Sequence, residues 1–432
     1  MEREIQVGLI GLGTIGRGVA RLLLERSAEL CYGRGFDLEL VRIADLDVTT
    51  PRGIELPGEI LTTDAYEIID DSRISVVIEL IGGIEPARTY ILSALEKGKS
   101  VVTANKAVLS QHGKELLQAA EKNGVLLFFE ASVCGGIPII RILREGLVAN
   151  RIEKLYGILN GTTNYILTRM AQDGSSFQGA LRQAQQRGYA EADPTLDISG
   201  QDAAQKLSIL LRVGFNASIG VEDIFCEGIE KVAPQDITYA RELGYTIKLL
   251  AIAKRLETRI EARVHPVLIP SGTLLADVRD EFNSVELTGD AVGTQIFYGK
   301  GAGEMPTASA VVADVIEIAQ QNIRQSLPTV NQMLPADERL TLLHMEEVET
   351  PYYFRFTVID KPGVLAEIAR LLAVEGISIA SVIQKERRQG GAVPIVMMTH
   401  RAKEKAMRLA ISNIDQLPVV KAPTQVIRVE EV

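Results

Sequence analysis

The alternation of apolar and polar positions divides the chain into strand-sized and helix-sized pieces from its start. Residues 4–10 (EIQVGLI) form a short apolar run ending in Gly11-Leu12-Gly13-Thr14-Ile15-Gly16, after which Ile15, Val19, Leu22 and Leu23 recur at helical spacing. That pattern predicts strand, tight turn, helix. Runs at 38–44, 75–80 and 100–103 read as further strands, with helical patterns at 86–97 and 107–122 between the later ones. Strands alternating with helices through residue 130 predict a parallel, doubly wound α/β sheet of the Rossmann type over residues 1–132.

From about residue 133 the segments lengthen and mix, with a helix near 200–213 and a strand-rich stretch over 259–298, which predicts a mixed α+β domain over 133–304. A helix at about 305–325 follows the glycine turn of 299–303, its apolar face suited to return to the first domain, and the polar stretch 326–350 reads as a linker. After Pro351 the pattern becomes strand 352–359, turn Asp360-Lys361-Pro362-Gly363, helix 364–375 closed by Gly376, and strand 377–383. A Gln-Gly-Gly loop, strand 393–399, helix 402–414 and strand 419–429 complete it. Val364, Ile368, Leu371 and Leu372 share one helix face, and Met407, Ile411 and Ile414 another, so residues 351–432 fit a βαββαβ ferredoxin-like domain.

Composition narrows what these domains do. The chain has 432 residues, 46% of them apolar, enough to fill a core in each of two to four domains, which excludes a disordered tail or a disulfide-stapled miniprotein. With 46 basic against 56 acidic residues the net charge is −10, and no basic stretch tracks phosphates, so nucleic acid is not an expected partner. Cys31, Cys134 and Cys226 are scattered and form no CxxC pair, which predicts a reducing, cytoplasmic setting. The N-terminus shows no export signal, and no apolar run reaches the roughly 18 residues of a membrane span.

The glycine turn is the first feature that carries chemistry. A tight turn brings backbone N–H groups and a helix N-terminus up to a pyrophosphate, where the helix dipole favours negative charge. At the end of the second strand Asp45 is placed to bond ribose hydroxyls of NAD, and Arg52 follows closely enough to meet the 2′-phosphate of NADP. Lys106, in Thr103-Ala104-Asn105-Lys106, lies at a strand-to-helix junction and reads either as a substrate contact or as a helix-start lysine. The densest polar cluster runs from Gly188 through Glu191 and Asp193 to Asp197, then Ser199, Asp202 and Lys206. Asp202 and Lys206 are four apart, on one helix face about 5–6 Å apart at Cβ. They read as part of a capping box and a helix ion pair, or, bordering the apolar stripe of Ala203, Leu207, Leu210 and Leu211, as groups at the rim of a buried face. Cys134, in EASVCGGIP (130–138), has no histidine near it in sequence and reads as a spectator thiol. No transition-metal set is apparent, while Glu130 and turn carbonyls suit a hard cation.

Together these segments resemble the homoserine dehydrogenase family, in the form with a C-terminal ACT regulatory domain. The resemblance rests on GLGTIG (11–16), IGG (81–83), TANK (103–106), EASVCGGIP (130–138), LNGTTN (159–164) and GYAEADPTLDISGQDAAQK (188–206). FYGKGAG (297–303), MPTAS (305–309) and DKPGVLAEIARLLAVEGISI (360–379) extend it across nearly the whole chain. It implies reversible hydride transfer between NAD(P)H and L-aspartate 4-semialdehyde, giving L-homoserine on the route to threonine, isoleucine and methionine. It implies Lys206 as proton donor to the aldehyde oxygen, Lys106 assisting there or beside the nicotinamide, and Glu191 and Asp202 holding the amino-acid end. Gly11, Leu12, Gly13, Thr14, Ile15, Gly16, Asp45, Thr103, Lys106, Gly188 and Gly303 are the implied cofactor contacts. Glu130, with the backbone of Val133, Gly135 and Ile137, is similar to the family's structural sodium site. The ACT segment implies a homo-oligomer, dimer or tetramer, with threonine as feedback inhibitor near Lys361 to Leu365. Ala44 departs from the basic residue that often precedes the acid in NADP-preferring members. A phosphoglycerate-type dehydrogenase with an ACT tail would need a catalytic histidine late in the nucleotide domain, and none stands in context. The Glu191, Asp202, Lys206 and Lys106 set argues against a non-catalytic amino-acid sensor. No aspartokinase-like segment precedes residue 1, so a bifunctional arrangement is not expected.

Overall fold

Apolar runs bounded by glycine turns make the first half of the chain a layered sheet. The computed structural model describes residues 3–323, 337, 339–385 and 391–432. The chain divides into two units, one built from residues 1–153, 205–222 and 283–338, the other from 154–204, 223–282 and 339–432. In the first unit, β1 (Arg3–Ile10) leads into α1 (Thr14–Cys31) and β2 (Phe36–Ala44), then β3 (Leu61–Thr62) and α2 (Tyr66–Ile69). β4 (Ile74–Glu79), α3 (Ala87–Glu96), β5 (Ser100–Thr103), α4 (Lys106–Lys122) and β6 (Leu127–Phe128) follow. The strands pair in parallel in the order β3-β2-β1-β4-β5-β6. Strand order reverses between β1 and β4, the switch point at which open sheets of this kind hold ligands beyond their carboxyl ends. β5 is buried at every position, as expected of a strand covered by helices on both faces.

Between the two patterned regions come α5 (Ile139–Arg141), β7 (Ile152–Ile158), α6 (Gly161–Asp173), α7 (Phe177–Gln186), α8 (Thr195–Ile198) and α9 (Gln201–Gly214). β8 (Phe225–Cys226), α10 (Pro234–Glu242), β9 (Tyr245–Leu256), β10 (Arg259–Pro270), β11 (Phe282–Gly289), β12 (Gly293–Lys300) and α11 (Glu304–Ile323) follow. α6 and β9 escape the sequence reading because residues 162–168 and 247–253 are buried throughout, so no solvent-facing side marks a period. α11 packs Ala308, Val311, Val315 and Ile318 into the same core as Val19, Leu22, Leu23, Val76 and Val102. Its first residue, Glu304, pairs with Arg17 and lies 3.4 Å from Arg21 on α1.

The remainder comprises β13 (Thr341–Leu342), β14 (Glu349–Thr350), β15 (Tyr352–Ile359), α12 (Val364–Val374), β16 (Ile379–Ile383), β17 (Ala392–Thr399), β18 (Ala402–Lys403), α13 (Glu404–Asp415) and β19 (Val420–Val429). The expected linker lies partly outside the described residues, as do Gln389 and Gly390 of the expected loop; from Thr341 the segment is ordered against β10, which pairs β13 in parallel. Phe354, Phe356, Val364, Ile368, Met407 and Ile414 share one core beneath the two helices. In the second unit β7, β9, β10, β19, β15, β17 and β16 lie side by side in that order, with β10 and β19 parallel through Val267↔Arg428. The ferredoxin-like module therefore continues the sheet that holds β9 and β10.

Charged groups are buried along that join, each with partners. Arg428 donates to both oxygens of Glu404 at 2.9 and 2.6 Å and to Glu227 at 3.0 Å. Glu430 receives Lys254 at 2.7 Å and Arg263, which is itself fully buried. Asp236 on α10 accepts from Tyr353 at 3.0 Å and from the Arg355 guanidinium at 2.6 and 3.1 Å.

Lys248 on β9 is 3% exposed and donates to the Asn164 side chain at 2.9 Å and to the Val278 carbonyl. Burial pushes its amine down from 10.5 to about 8. The folded chain thus releases this proton more readily than the unfolded one, so stability rises with pH between those two values. The urea midpoint of the wild type should therefore gain on that of Lys248→Met as pH is raised from about 8 to about 10, the span below the ordinary lysine value. A constant difference would mean that the amine titrates alike in both states.

Candidate active site

The turn after β1 is shaped by contacts only glycine allows. Gly11 has φ +102°, and a Cβ there would stand 2.8 Å from the Leu80 backbone; a Cβ at Gly16 would fall 2.0 Å from the Gly11 carbonyl. The turn is thereby pressed against the end of β4, and α1 starts at Gly13 with no side-chain cap and no acid in its first turn. Gly13 and Thr14 are exposed, Leu12 is buried and Ile15 half-buried. Amides at an uncapped helix start are anion donors, so the chain's own residues fit a dinucleotide pyrophosphate here. Asp45 is already engaged: Oδ2 accepts from Leu12 N at 2.6 Å, and Oδ1 accepts from Asp47 N at 2.9 Å and Arg52 at 3.2 Å.

Lys106 is placed by a residue that sequence reasoning passed over. Glu79, at the end of β4, is fully buried, and burial raises its carboxyl above the ordinary range. Its oxygens accept from Thr103 Oγ1 at 2.6 Å and Ile81 N at 2.9 Å. Thr103 Oγ1 in turn accepts from Asn105 N at 3.0 Å, while Asn105 donates to the Gly83 carbonyl at 2.7 Å and caps α4 through Val108 N at 3.2 Å. The IGG and TANK segments are thus one knot, and Lys106 is the first residue of the helix it fixes. The signal was a lone carboxylate in an otherwise apolar run.

Glu130 is also buried, its two oxygens accepting from Ile140 N at 2.9 Å and Arg141 N at 2.7 Å. Its own N–H donates to Asp314 Oδ2 at 2.8 Å, a carboxyl pushed up to about 8 by burial and by the Glu130 charge. Val133, Gly135 and Ile137 are also buried. One carboxylate and peptide carbonyls are hard-oxygen donors, the chemistry a monovalent cation takes, while no group of three or more metal-type side chains occurs among the described residues. Gly136 N donates to the Lys300 carbonyl at 3.0 Å, and a Cβ at Gly136 would stand 2.7 Å from that oxygen, so this turn packs on the segment leading to Gly303. Gly303, φ +123°, precedes α11. Cys134 is buried and takes an Asn283 amide at 3.4 Å, in keeping with a spectator thiol.

In the second unit Asn160 organises the acids. Its amide donates to Asp197 at 2.7 Å and Asp202 at 2.8 Å, and its oxygen accepts from Thr163 N at 2.8 Å as the cap of α6. Asp202 is 3% exposed, which sets aside an ordinary solvated helix pair. One turn along α9, Lys206 is 9% exposed. The 188–193 loop is tied down by Thr162 Oγ1 donating to the Tyr189 carbonyl at 2.6 Å and Gln185 donating to the Glu191 carbonyl at 3.1 Å. The Glu191 side chain is exposed, as is Gly188, whose φ is +75°. The glycine turn, Asp45, Thr103, Lys106, Glu130, Lys206 and Gly303 thus belong to the first unit, and Gly188, Glu191 and Asp202 to the second, the chain passing from one to the other within α9.

A parallel sheet in dinucleotide order, with an uncapped glycine turn and an acid fixed at the end of its second strand, defines a nicotinamide-dependent oxidoreductase. Comparison with known proteins narrows the class. Family models match for homoserine dehydrogenase over residues 138–316, its NAD-binding domain over 11–130 and the ACT domain over 352–419. A homoserine dehydrogenase of Neisseria gonorrhoeae is 42% identical over 431 residues, covering 99% of each chain. The crystal structure of one from Thiobacillus denitrificans superposes with TM-score 0.92 at 45% identity, covering 99% of each chain. A hyperthermophilic archaeal homoserine dehydrogenase in complex with NADPH matches 74% of this chain and 98% of its own, with TM-score 0.63 at 26% identity. The chain belongs to the homoserine dehydrogenase family and is an oxidoreductase of that kind with a C-terminal ACT domain. No helix among the described residues is long and apolar enough to cross a membrane.

Asn160→Ala removes the cap of α6 and leaves two carboxylates without their shared donor. It should cost about 1–3 kcal/mol of stability, measured by urea unfolding, together with most of the activity. Unchanged values in both assays would show that the amide is dispensable.

Proposed function

We propose that the chain catalyses the reversible NAD(P)-dependent interconversion of L-homoserine and L-aspartate 4-semialdehyde, in the cytoplasm, as a step toward threonine, isoleucine and methionine. The observation that carries this reading is the pairing of a buried acid and a buried amine one turn apart on α9, with the acid clamped by Asn160. NAD(P) supplies the hydride acceptor or donor when bound. Residues 11–16 take its pyrophosphate, Asp45 its ribose, and Gly188, Gly303 and Lys106 complete its contacts. Thr103 contributes through its peptide, since its hydroxyl is committed to Glu79.

In the reducing direction Lys206 gives a proton to the aldehyde oxygen as hydride reaches the adjacent carbon, and Lys106 steadies that oxygen or the nicotinamide side. In the oxidising direction the neutral Lys206 amine accepts the hydroxyl proton. Glu191 and Asp202 receive the substrate's ammonium group, fixing which end faces the reacting centre. Glu130 with the carbonyls of Val133, Gly135 and Ile137 holds a sodium ion whose part is structural.

Mixing the protein with homoserine and either coenzyme, and following nicotinamide absorbance, tests the reaction itself. Lys206→Ala should lower kcat by about 10²–10⁴ with little change in KM, as loss of an acid–base group does. A defect confined to KM would reduce Lys206 to a binding role. Because an ordinary lysine is protonated at neutral pH, with a value near ~10.4, homoserine oxidation should quicken as the medium turns alkaline. A flat profile with chemistry rate-limiting would remove Lys206 from proton transfer.

The ACT module binds threonine at the turn from Lys361 to Leu365, in a homo-oligomer, and inhibits the reaction. Deleting the module would also take Glu430 from Arg263 and Lys254 and Arg428 from Glu227, so a point change is the cleaner probe. Leu365 is exposed at the start of α12, and Leu365→Glu should raise the threonine concentration for half-inhibition at least ~10-fold, the loss of roughly 1.4 kcal/mol, with uninhibited kcat retained. An unaltered inhibition curve would place the effector elsewhere.

A further inference from the structure

A cavity of about 120 Å³ opens within the first unit between α4 and the second half of α9, the space of roughly four waters at ~30 Å³ each. Leu109, Leu117, Phe129 and Ile219 give it apolar walls, and its charged lining is Arg212 from α9 and Lys114 from α4. None of the lining residues is acidic. Arg212 Nη1 is shut off from solvent and has no hydrogen-bond partner, and among the described residues neither Arg212 nor Lys114 enters an ion pair. The Ser110 and Ser208 hydroxyls are spent on their own helices, donating to Ala107 O at 3.1 Å and Gln205 O at 2.8 Å.

A dry guanidinium donor without an acceptor is costly, the more so in a chain whose net charge of −10 offers abundant carboxylates elsewhere. Burial alone pushes the Arg212 group below its ordinary range, with no neighbouring acid to restore it. We propose that this cavity is a binding site for a short aliphatic monocarboxylate, its carboxylate taken by the Arg212 guanidinium with Lys114 at the rim and its hydrocarbon body on the leucine, isoleucine and phenylalanine walls. The planar fork of arginine suits a carboxylate bidentately, and the apolar walls disfavour a fully polar anion such as phosphate. An α-ammonium group would find no acid to meet it, so the ligand is not an amino acid. The bound molecule would bridge the helix that begins at Lys106 and the helix that carries Lys206, and the site stands whether or not those lysines act as proposed above.

Thermal unfolding of the full chain, titrated with 3-methylbutanoate, tests this. A ligand that binds only the folded form raises Tm with concentration. The wild type should show that rise, Arg212→Met should lose it, and Lys114→Gln, at an exposed position, should bind about 10-fold more weakly, as expected for one lost charge-assisted contact. L-leucine and inorganic phosphate should leave the wild-type Tm unmoved. No rise with 3-methylbutanoate, an equal rise in Arg212→Met, or an equal rise with phosphate or leucine would overturn the proposal. Should Arg212→Met fail to fold, Arg212→Lys and Lys114→Gln decide between the same outcomes, since both retain the bulk of the side chain.

Discussion

A carboxylate and an amine buried one turn apart on α9 impose the constraint that the segment around Asn160 answers. Asp202 and Lys206 have little water to share their charge, so the acid must find donors inside the protein. Asn160 provides one while its oxygen caps α6, so a single side chain fixes both the helix start and the acid. Four residues on, Asn164 does comparable work, donating to the carbonyls of Val278, Asp280 and Phe282 and accepting from buried Lys248. The LNGTTN segment is therefore a hydrogen-bond organiser whose two amides serve different neighbours.

The same economy of buried charge joins the ACT module to β10. Arg428 sits near the end of β19, paired there with Tyr352 of β15 on one side and Val267 of β10 on the other, and Glu430 follows just beyond the strand. Burial raises the Glu404 carboxyl, yet the hydrogen bonds and charge of Arg428, with those of Arg408, more than offset it and hold the group ionised. Removing one member of such a set leaves an uncompensated charge, which costs more than the pair itself contributes. His265, buried between Arg263 and Arg428, has its imidazole pushed well below the usual value by burial and those cations, so it sits there neutral. The module is thus continuous with its neighbour in hydrogen bonding and in charge balance.

Much of this was legible in the sequence where the physics is local. β5 and β15 fall at the residues their apolar runs marked, and α4, α11 and α12 begin or end within a few residues of their expected limits, because amphipathic period, glycine stops and caps act over short spans. The motifs at 11–16, 103–106 and 188–206 pointed to segments that the structure holds in close-packed turns and buried hydrogen bonds. What stayed hidden is long-range. Glu79 looked like an interruption in an apolar run, and its meaning lies in Thr103, 24 residues on. Glu130 is met by Asp314, 184 residues on, a pairing no local pattern announces. β9 and α6, buried along most of their length, offer little solvent-facing period to read.

Asp45 carries more in the structure than its place at the end of the second strand suggests. One of its oxygens orders the glycine turn through Leu12 N, and the other is shared by Asp47 N and Arg52. A carboxylate offers about four acceptor positions, so a ribose hydroxyl can join this set without releasing the turn, provided Arg52 yields or bridges. Arg52 is held besides by the Asp47 carbonyl at 2.8 Å and lies 3.3 Å from the Asp47 carboxylate. With a free 2′-hydroxyl the acid is the group in demand; with a 2′-phosphate it repels, and Arg52 is the cation at hand. On the coenzyme contacts proposed above, discrimination between the two coenzymes would reduce to a contest over one guanidinium, set by how firmly Asp45 and Asp47 keep it rather than by a basic residue at position 44.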